Sequence, residues 1–133
     1  MKIAVIGTSE FTLNCAQILI DNECIVSALV SLPKNNLPNN SANVKKFSLL
    51  NNISYFETSD INSNKSISYL EELKVDFILS TWPHIILNCV IDIPKYGIIG
   101  THPTLLPRNR GRHPLNWMVS LGISNSKMSF FKM

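Results

Sequence analysis

Charge is scarce in this chain. Asp, Glu, Lys and Arg make up 16% of its 133 residues, against roughly 25% in an ordinary soluble domain, so any cluster of like charges stands out. Long hydrophobic runs are missing as well: the opening MKIAVIGTSEF has a short apolar run that Gly7, Ser9 and Glu10 break. Neither a signal peptide nor a membrane span is expected, and a cytoplasmic location follows. Cysteine is sparse and unpatterned. Cys15, Cys24 and Cys89 are odd in number, lie in apolar runs and lack C-x-x-C spacing, which excludes a disulfide framework and reads as buried small hydrophobes in a reducing compartment. His84, His102 and His113 stand far apart with no Cys or carboxylate partner close in sequence, so no metal site is expected. The 45% apolar content excludes disorder of the whole chain, and a net charge of +3 is too small to argue for nucleic acid.

What is present is an alternation of short apolar runs and helical patterns within the length of one domain. Residues 2–7, KIAVIG, read as a strand buried on both faces. Thr8, Ser9 and Glu10 offer helix-capping chemistry before Phe11, Cys15, Ile18 and Leu19, which recur at helical spacing. A second strand follows at 25–32, a polar loop at 33–43, a short helix over 44–51 and a third strand at 53–56. Residues 57–66, rich in Ser and Asn, read as a solvated loop. A helix over 68–74, a fourth strand at 75–79, a short apolar stretch from Trp82, and a helix or turn over 89–93 come next. The fifth strand is 97–100. Pro114 then opens a helix whose face is Leu115, Met118 and Val119 and whose C-terminal cap is Gly122. Residues 127–133 read as a sixth strand with no turn signal after it, so the domain is expected to be incomplete there. This pattern predicts an α/β fold with a doubly wound, mostly parallel Rossmann-like sheet and helices on both faces. Ligands bind such sheets at the carboxyl ends of strands, near a switch in strand order.

Gly7-Thr8-Ser9 stands where a dinucleotide-binding fold would show G-x-G-x-x-G, and only the first glycine is there. A nicotinamide or flavin cofactor is therefore not expected. The richest chemistry lies further on. The segment GTHPTLLPRNRGRHP, residues 100–114, holds three arginines and two histidines and no acidic residue. Pro103 and Pro107 stiffen it, Leu105 and Leu106 are expected to anchor it, and His102 is thereby held on a rigid frame just past a strand end. Arg108, Arg110 and Arg112 are clustered as a site for an anionic group would be.

Here the chain resembles the N10-formyltetrahydrofolate-dependent formyltransferases, over its whole length and most closely in GIIGTHPTLLPRNRGRHPLNW, residues 97–117. The family's motif reads N-x-H-P-S-L-L-P followed by R-G, and residues 102–107 with Arg110 and Gly111 match it. Trp117 and the terminal SFFKM add to the likeness. The resemblance implies transfer of a formyl group from N10-formyltetrahydrofolate to a primary amine, which needs a proton acceptor and a donor aimed at the developing oxyanion. His102 matches the family's catalytic histidine. The folate is expected against Trp82, His84, Ile85 and Ile86 and beside Leu106 and Pro107. A phosphate of the acceptor is expected at Arg108, Arg110, Gly111 and Arg112. Candidate acceptors are a nucleotide-linked amino sugar, which the G-x-H form of the motif favours, the amino acid on an initiator tRNA, and a purine-pathway ribonucleotide.

Two departures from the family pattern carry consequences. Gly100 stands where the family has Asn, removing an amide donor whose loss typically costs about 10²–10³ in rate. The family's Asp, in a D-x-G-x-D-x-G-like segment after the strand that ends at Met133, has no counterpart in the 133 residues. The chain as printed is thus expected to bind better than it catalyses. The alternatives from other classes are a non-catalytic folate-binding or partner-subunit protein, and a nucleotide-binding module using phosphate contacts at Gly7, Thr8 and Ser9.

Overall fold

The computed structural model describes residues 1–111 and 113–133. Six strands, β1 (Lys2–Ile6), β2 (Ile25–Ser31), β3 (Ser54–Glu57), β4 (Phe77–Ser80), β5 (Ile98–His102) and β6 (Ser129–Lys132), form one sheet in the order β3-β2-β1-β4-β5-β6. Among the described residues five α-helices connect them: α1 (Glu10–Asp21), α2 (Val44–Leu50), α3 (Asn64–Leu73), α4 (Asn88–Ile91) and α5 (Pro114–Ser120). All pairings are parallel except β5 with β6, which is antiparallel. The expected mostly parallel, doubly wound sheet is present.

A parallel sheet must be covered on both faces, and successive residues of a strand point to opposite faces. In β1, Ala4 and Ile6 join Val30, Ile78 and Ile98 in one core, closed by Leu70 of α3 and Val90 of α4. Ile3 and Val5 join Val26 and Leu29 in the other, closed by Ala16 of α1 and Val44 of α2. The period of two thus sets the layers. From β1 the chain winds outward through β2 and β3, and from β4 it winds the other way through β5 and β6, so the switch lies where β1 and β4 adjoin.

That switch is closed tightly. Ser9 accepts a hydrogen bond from the Thr12 amide and Thr12 Oγ1 accepts one from the Ser9 amide at 3.1 Å, completing a capping box at the start of α1. Thr12 Oγ1 also meets Thr81 Oγ1, just past β4, at 2.6 Å. Only glycine fits beneath this pair: a Cβ on Gly7 would lie 1.8 Å from Thr81 Oγ1 and 2.5 Å from Thr12 Oγ1.

Several local expectations change. Helix α3 begins at Asn64, not Ser68, because Ser63 caps it and Ser66, fully buried, hydrogen-bonds to Thr58 Oγ1 at 2.9 Å. Residues 57–66 are therefore a capping structure over the core, with Ile61 buried in it, and not a solvated loop. In α1 the buried face is Thr12, Cys15 and Ala16, while Ile18 is exposed. In α5 only Met118 is buried, and Leu115 and Val119 face outward. Gly122 does follow the α5 C-cap with a positive φ of 66°. Cys15 is buried, but Cys89 is exposed. β5 runs through His102, two residues beyond its expected end, because β6 pairs His102 with Ser129.

The crowding at the switch gives a test. Gly7→Ala is expected to destabilise the fold by about 1–3 kcal/mol through overpacking, and Thr81→Ala in the same chain should recover part of that loss. Denaturant unfolding of the two single variants and the double variant checks it; additive effects would place the crowding elsewhere.

Candidate active site

The carboxyl end of β5 carries His102, and residues 103–109 fold back against β6 to hold it. Thr104 is the anchor of this loop: it is 1% exposed, and its Oγ1 donates to the Arg108 carbonyl at 2.9 Å. Ser129, the first residue of β6, donates its hydroxyl to the Thr104 carbonyl at 2.7 Å and accepts from the Leu106 amide at 3.1 Å. The expected anchoring by two leucines is corrected, since Leu105 is half exposed and only Leu106 is partly covered. The Leu106–Pro107 peptide is cis. Hydroxyls do the anchoring because the loop's carbonyls and amides, once covered, need partners.

Asn109 adopts a left-handed conformation, φ 53°, which asparagine tolerates better than most residues. Its carbonyl lies 2.9 Å from His102 Nε2. A carbonyl only accepts, so Nε2 carries a proton, and in the neutral ring Nδ1 keeps its lone pair. The loop therefore both orients the imidazole and sets its tautomer, leaving Nδ1 as a proton acceptor.

Gly100 shares a sheet face with His102, two residues away, and pairs with Phe131 of β6. A Cβ on Gly100 would lie 2.5 Å from Met133 Cε and 2.8 Å from Phe131 Cζ. The glycine makes room for these side chains. No side-chain amide donor stands at this position.

Beyond β4, Trp82 is buried in the core on the α3 and α4 side, and its indole N–H is buried with no hydrogen-bond partner among the described residues. Its ring meets that of His84 edge-on at 6.3 Å between centroids. His84 is exposed, Ile85 is 80% exposed, and Ile86 packs against the core. This loop is clamped by Asn62, whose side chain donates to the Ile85 carbonyl at 3.0 Å and accepts from the Leu87 amide at 2.8 Å. Asn62 lies in the segment expected to be plain loop. Ile98, which is in the same core as Trp82, is four residues before His102 on the same strand, so the His102 side chain lies on the sheet face that Trp82 packs against.

Arg108, Arg110 and Gly111 are exposed beside this face. The expectation for Arg112 falls outside the described residues. At the start of α1, the Thr12 and Ser9 amides are already taken by the capping box, which leaves a phosphate fewer free donors there. No group of three or more His, Cys, Asp or Glu side chains that could hold a metal occurs among the described residues. No helix among them is long and apolar enough to cross a membrane.

A histidine fixed at the carboxyl end of a strand in a doubly wound sheet stands where ligands bind in folds of this class. The chain belongs to the formyl transferase family, whose model matches residues 1–128. It is 31% identical over 131 residues to the methionyl-tRNA formyltransferase of Acetivibrio thermocellus, covering 92% of this chain and 41% of that protein. With the methionyl-tRNA formyltransferase of Fusobacterium nucleatum it shares 32% over 133 residues, 97% of this chain and 43% of that one. With the bifunctional polymyxin resistance protein ArnA of Wigglesworthia glossinidia brevipalpis it shares 39% over 93 residues, 69% of this chain and 14% of that one. The chain thus spans about two fifths of the length of the methionyl-tRNA formyltransferases it matches. The crystal structure of phosphoribosylglycinamide formyltransferase from Bacillus halodurans superposes over 100% of this chain and 72% of its own, with a TM-score of 0.79 and 16% identity, a likeness of fold.

The Gly100 contacts predict that Gly100→Asn lowers stability by about 1 kcal/mol, the low end of overpacking because Phe131 and Met133 lie on an open edge. Adding Phe131→Ala should recover part of the loss in denaturant unfolding. Unchanged stability in Gly100→Asn would contradict the packing role.

Proposed function

We propose that this chain takes part in transfer of a formyl group from N10-formyltetrahydrofolate to a primary amine of a phosphate-bearing acceptor, a nucleotide-linked amino sugar in the first instance. The observation that carries the reading is the His102 side chain: Nε2 is engaged by the Asn109 carbonyl at 2.9 Å, and Nδ1 is left to accept a proton. N10-formyltetrahydrofolate, when bound, supplies the formyl carbon that the amine attacks. His102 would take the proton that the amine must lose, and a base already oriented needs no reorganisation at that moment.

Whether the chain's residues suit a folate can be judged from the loop beyond β4. Ile85 offers apolar surface to a flat ring, and the buried, unpartnered Trp82 N–H is a donor on the same side of the sheet. Both fit a bicyclic ring that is apolar on its faces and polar at its edges. Trp82, His84, Ile85 and Ile86 are accordingly the proposed contacts, with Leu106 and Pro107 beside them. Arg108 and Arg110, with Gly111 and Arg112, are the proposed neighbours of the acceptor's phosphate. A cytoplasmic location, and a catalytic domain formed by residues 1–133, belong to the same reading.

A second reading, methionyl-tRNA as acceptor, is favoured by the names of the relatives matched over more than nine tenths of this chain. A third, binding without turnover, is favoured by Gly100, where the family's amide is missing. One assay separates them: wild type and His102→Ala with N10-formyltetrahydrofolate and each acceptor, following release of tetrahydrofolate, with folate binding read in parallel from tryptophan fluorescence. Transfer to the amino-sugar nucleotide that falls at least about 10²-fold in His102→Ala, with unchanged thermal unfolding, is the expected result. Transfer only to methionyl-tRNA selects the second reading. Folate binding without transfer selects the third, and turnover unchanged in His102→Ala contradicts the role of the histidine.

A further inference from the structure

Among the cavities of a few hundred Å³ that the described residues form at the surface, four differ in charge. One of about 520 Å³ lies at the amino end of β4 and mixes Glu71, Asp76 and Asp92 with Lys74 and Lys95. Another of about 510 Å³ at the carboxyl ends of β2 and β3 sets Lys34 and Lys45 near Glu57. A third, of about 270 Å³, is lined by apolar side chains such as Phe77, Leu79 and Ile99. The fourth, of about 300 Å³, lies between the loop after β5, α5 and the segment before β6, and among the described residues its charged lining is Arg108 and Lys127.

No carboxylate lines this fourth cleft, and none is close in sequence. All nine Asp and Glu residues lie at or before Asp92, whereas six of the twelve Lys and Arg residues lie beyond it. The modest charge of the whole chain hides a cationic last third built on an acidic remainder. Around Arg108 and Lys127 the cleft presents Asn125 and Ser126 as neutral donors, and Leu105, Met118 and Ile123 as an apolar wall. Its volume is at the lower bound of ligand pockets, roughly 300–1,000 Å³, which suits one anionic group better than a whole nucleotide. Asn109 also lines it, and the carbonyl of the same residue holds His102 Nε2. A group seated here therefore lies against the residue that fixes the imidazole.

We propose that this cleft seats a phosphate or diphosphate group of the acceptor, with Arg108 and Lys127 as its cationic contacts. Arg108 supplies a planar fork of donors and Lys127 a compact charge, two complementary ways of meeting phosphate oxygens. Lys127 is the new member: it is 19 residues from Arg108 in sequence and outside the arginine cluster, so only the fold joins it to the loop. The inference rests on the reading of a phosphate-bearing acceptor, and it assigns that phosphate a place.

The test is calorimetric titration of the 133-residue chain with inorganic diphosphate and with uridine diphosphate, for wild type, Arg108→Gln, Lys127→Gln and Lys132→Gln. Lys132, whose stem approaches Gly97 at the other end of β5, is a control of equal charge. The expected result is binding of both ligands, weakened about tenfold by each of the first two substitutions and little changed by the third, with all variants melting like wild type. No binding by wild type, or equal weakening by all three substitutions, would overturn the proposal, the latter because it marks a diffuse charge effect. Failure of the function itself looks different: diphosphate binding that depends on Lys127 in a chain that transfers no formyl group leaves the cleft assignment intact. Conversely, formyl transfer to a phosphate-bearing amine with a KM unaltered in Lys127→Gln overturns the cleft assignment alone.

Discussion

The hydroxyl of Ser129 donates to the Thr104 carbonyl and accepts from the Leu106 amide, and through these two bonds β6 holds the loop that follows β5. Such bonds are worth only about 0.5–1.5 kcal/mol each in net terms, but leaving the same buried groups unpaired costs about 1–3 kcal/mol. The constraint therefore acts mainly by making other loop conformations expensive. Once Thr104 is fixed, the chain turns at Asn109 and brings its carbonyl to His102. The orientation of the imidazole depends on a strand that lies more than twenty residues away in sequence.

The antiparallel partner has a second effect on the same end of the sheet. Pairing β6 against β5 sets Phe131 opposite Gly100, and glycine leaves the space that Phe131 and Met133 fill. An asparagine here would have to compete with an aromatic ring for that space. Packing accounts for a glycine at position 100 in this chain, and the proposed chemistry leans on His102.

The layered sheet was legible in the sequence because buried strands must be apolar and helices must alternate with them to cover both faces. KIAVIG and the run from Ile25 show this directly, as does the match of residues 102–107 to the formyltransferase motif. What stayed hidden was polar structure. Thr104, Ser66 and Asn62 look like solvated residues on composition, yet each meets specific partners across the fold, at Arg108, Thr58, and Ile85 with Leu87. Their positions depend on which loops the topology brings together, and no local period encodes that. The cleft that joins Lys127 to Arg108 was hidden for the same reason. Val119 and Ile18 erred in the opposite sense, because a helical apolar pattern names a face without saying whether anything covers it.

If the frame around His102 is what readies it for proton transfer, the protonation of its two nitrogens is the quantity to measure. Long-range ¹H–¹⁵N correlation spectroscopy of the imidazole, at a pH where the ring is neutral, distinguishes the tautomers. The hydrogen bond to Asn109 predicts a proton on Nε2 and a bare Nδ1. A ring protonated on Nδ1, or one averaging between the two forms, would contradict the account.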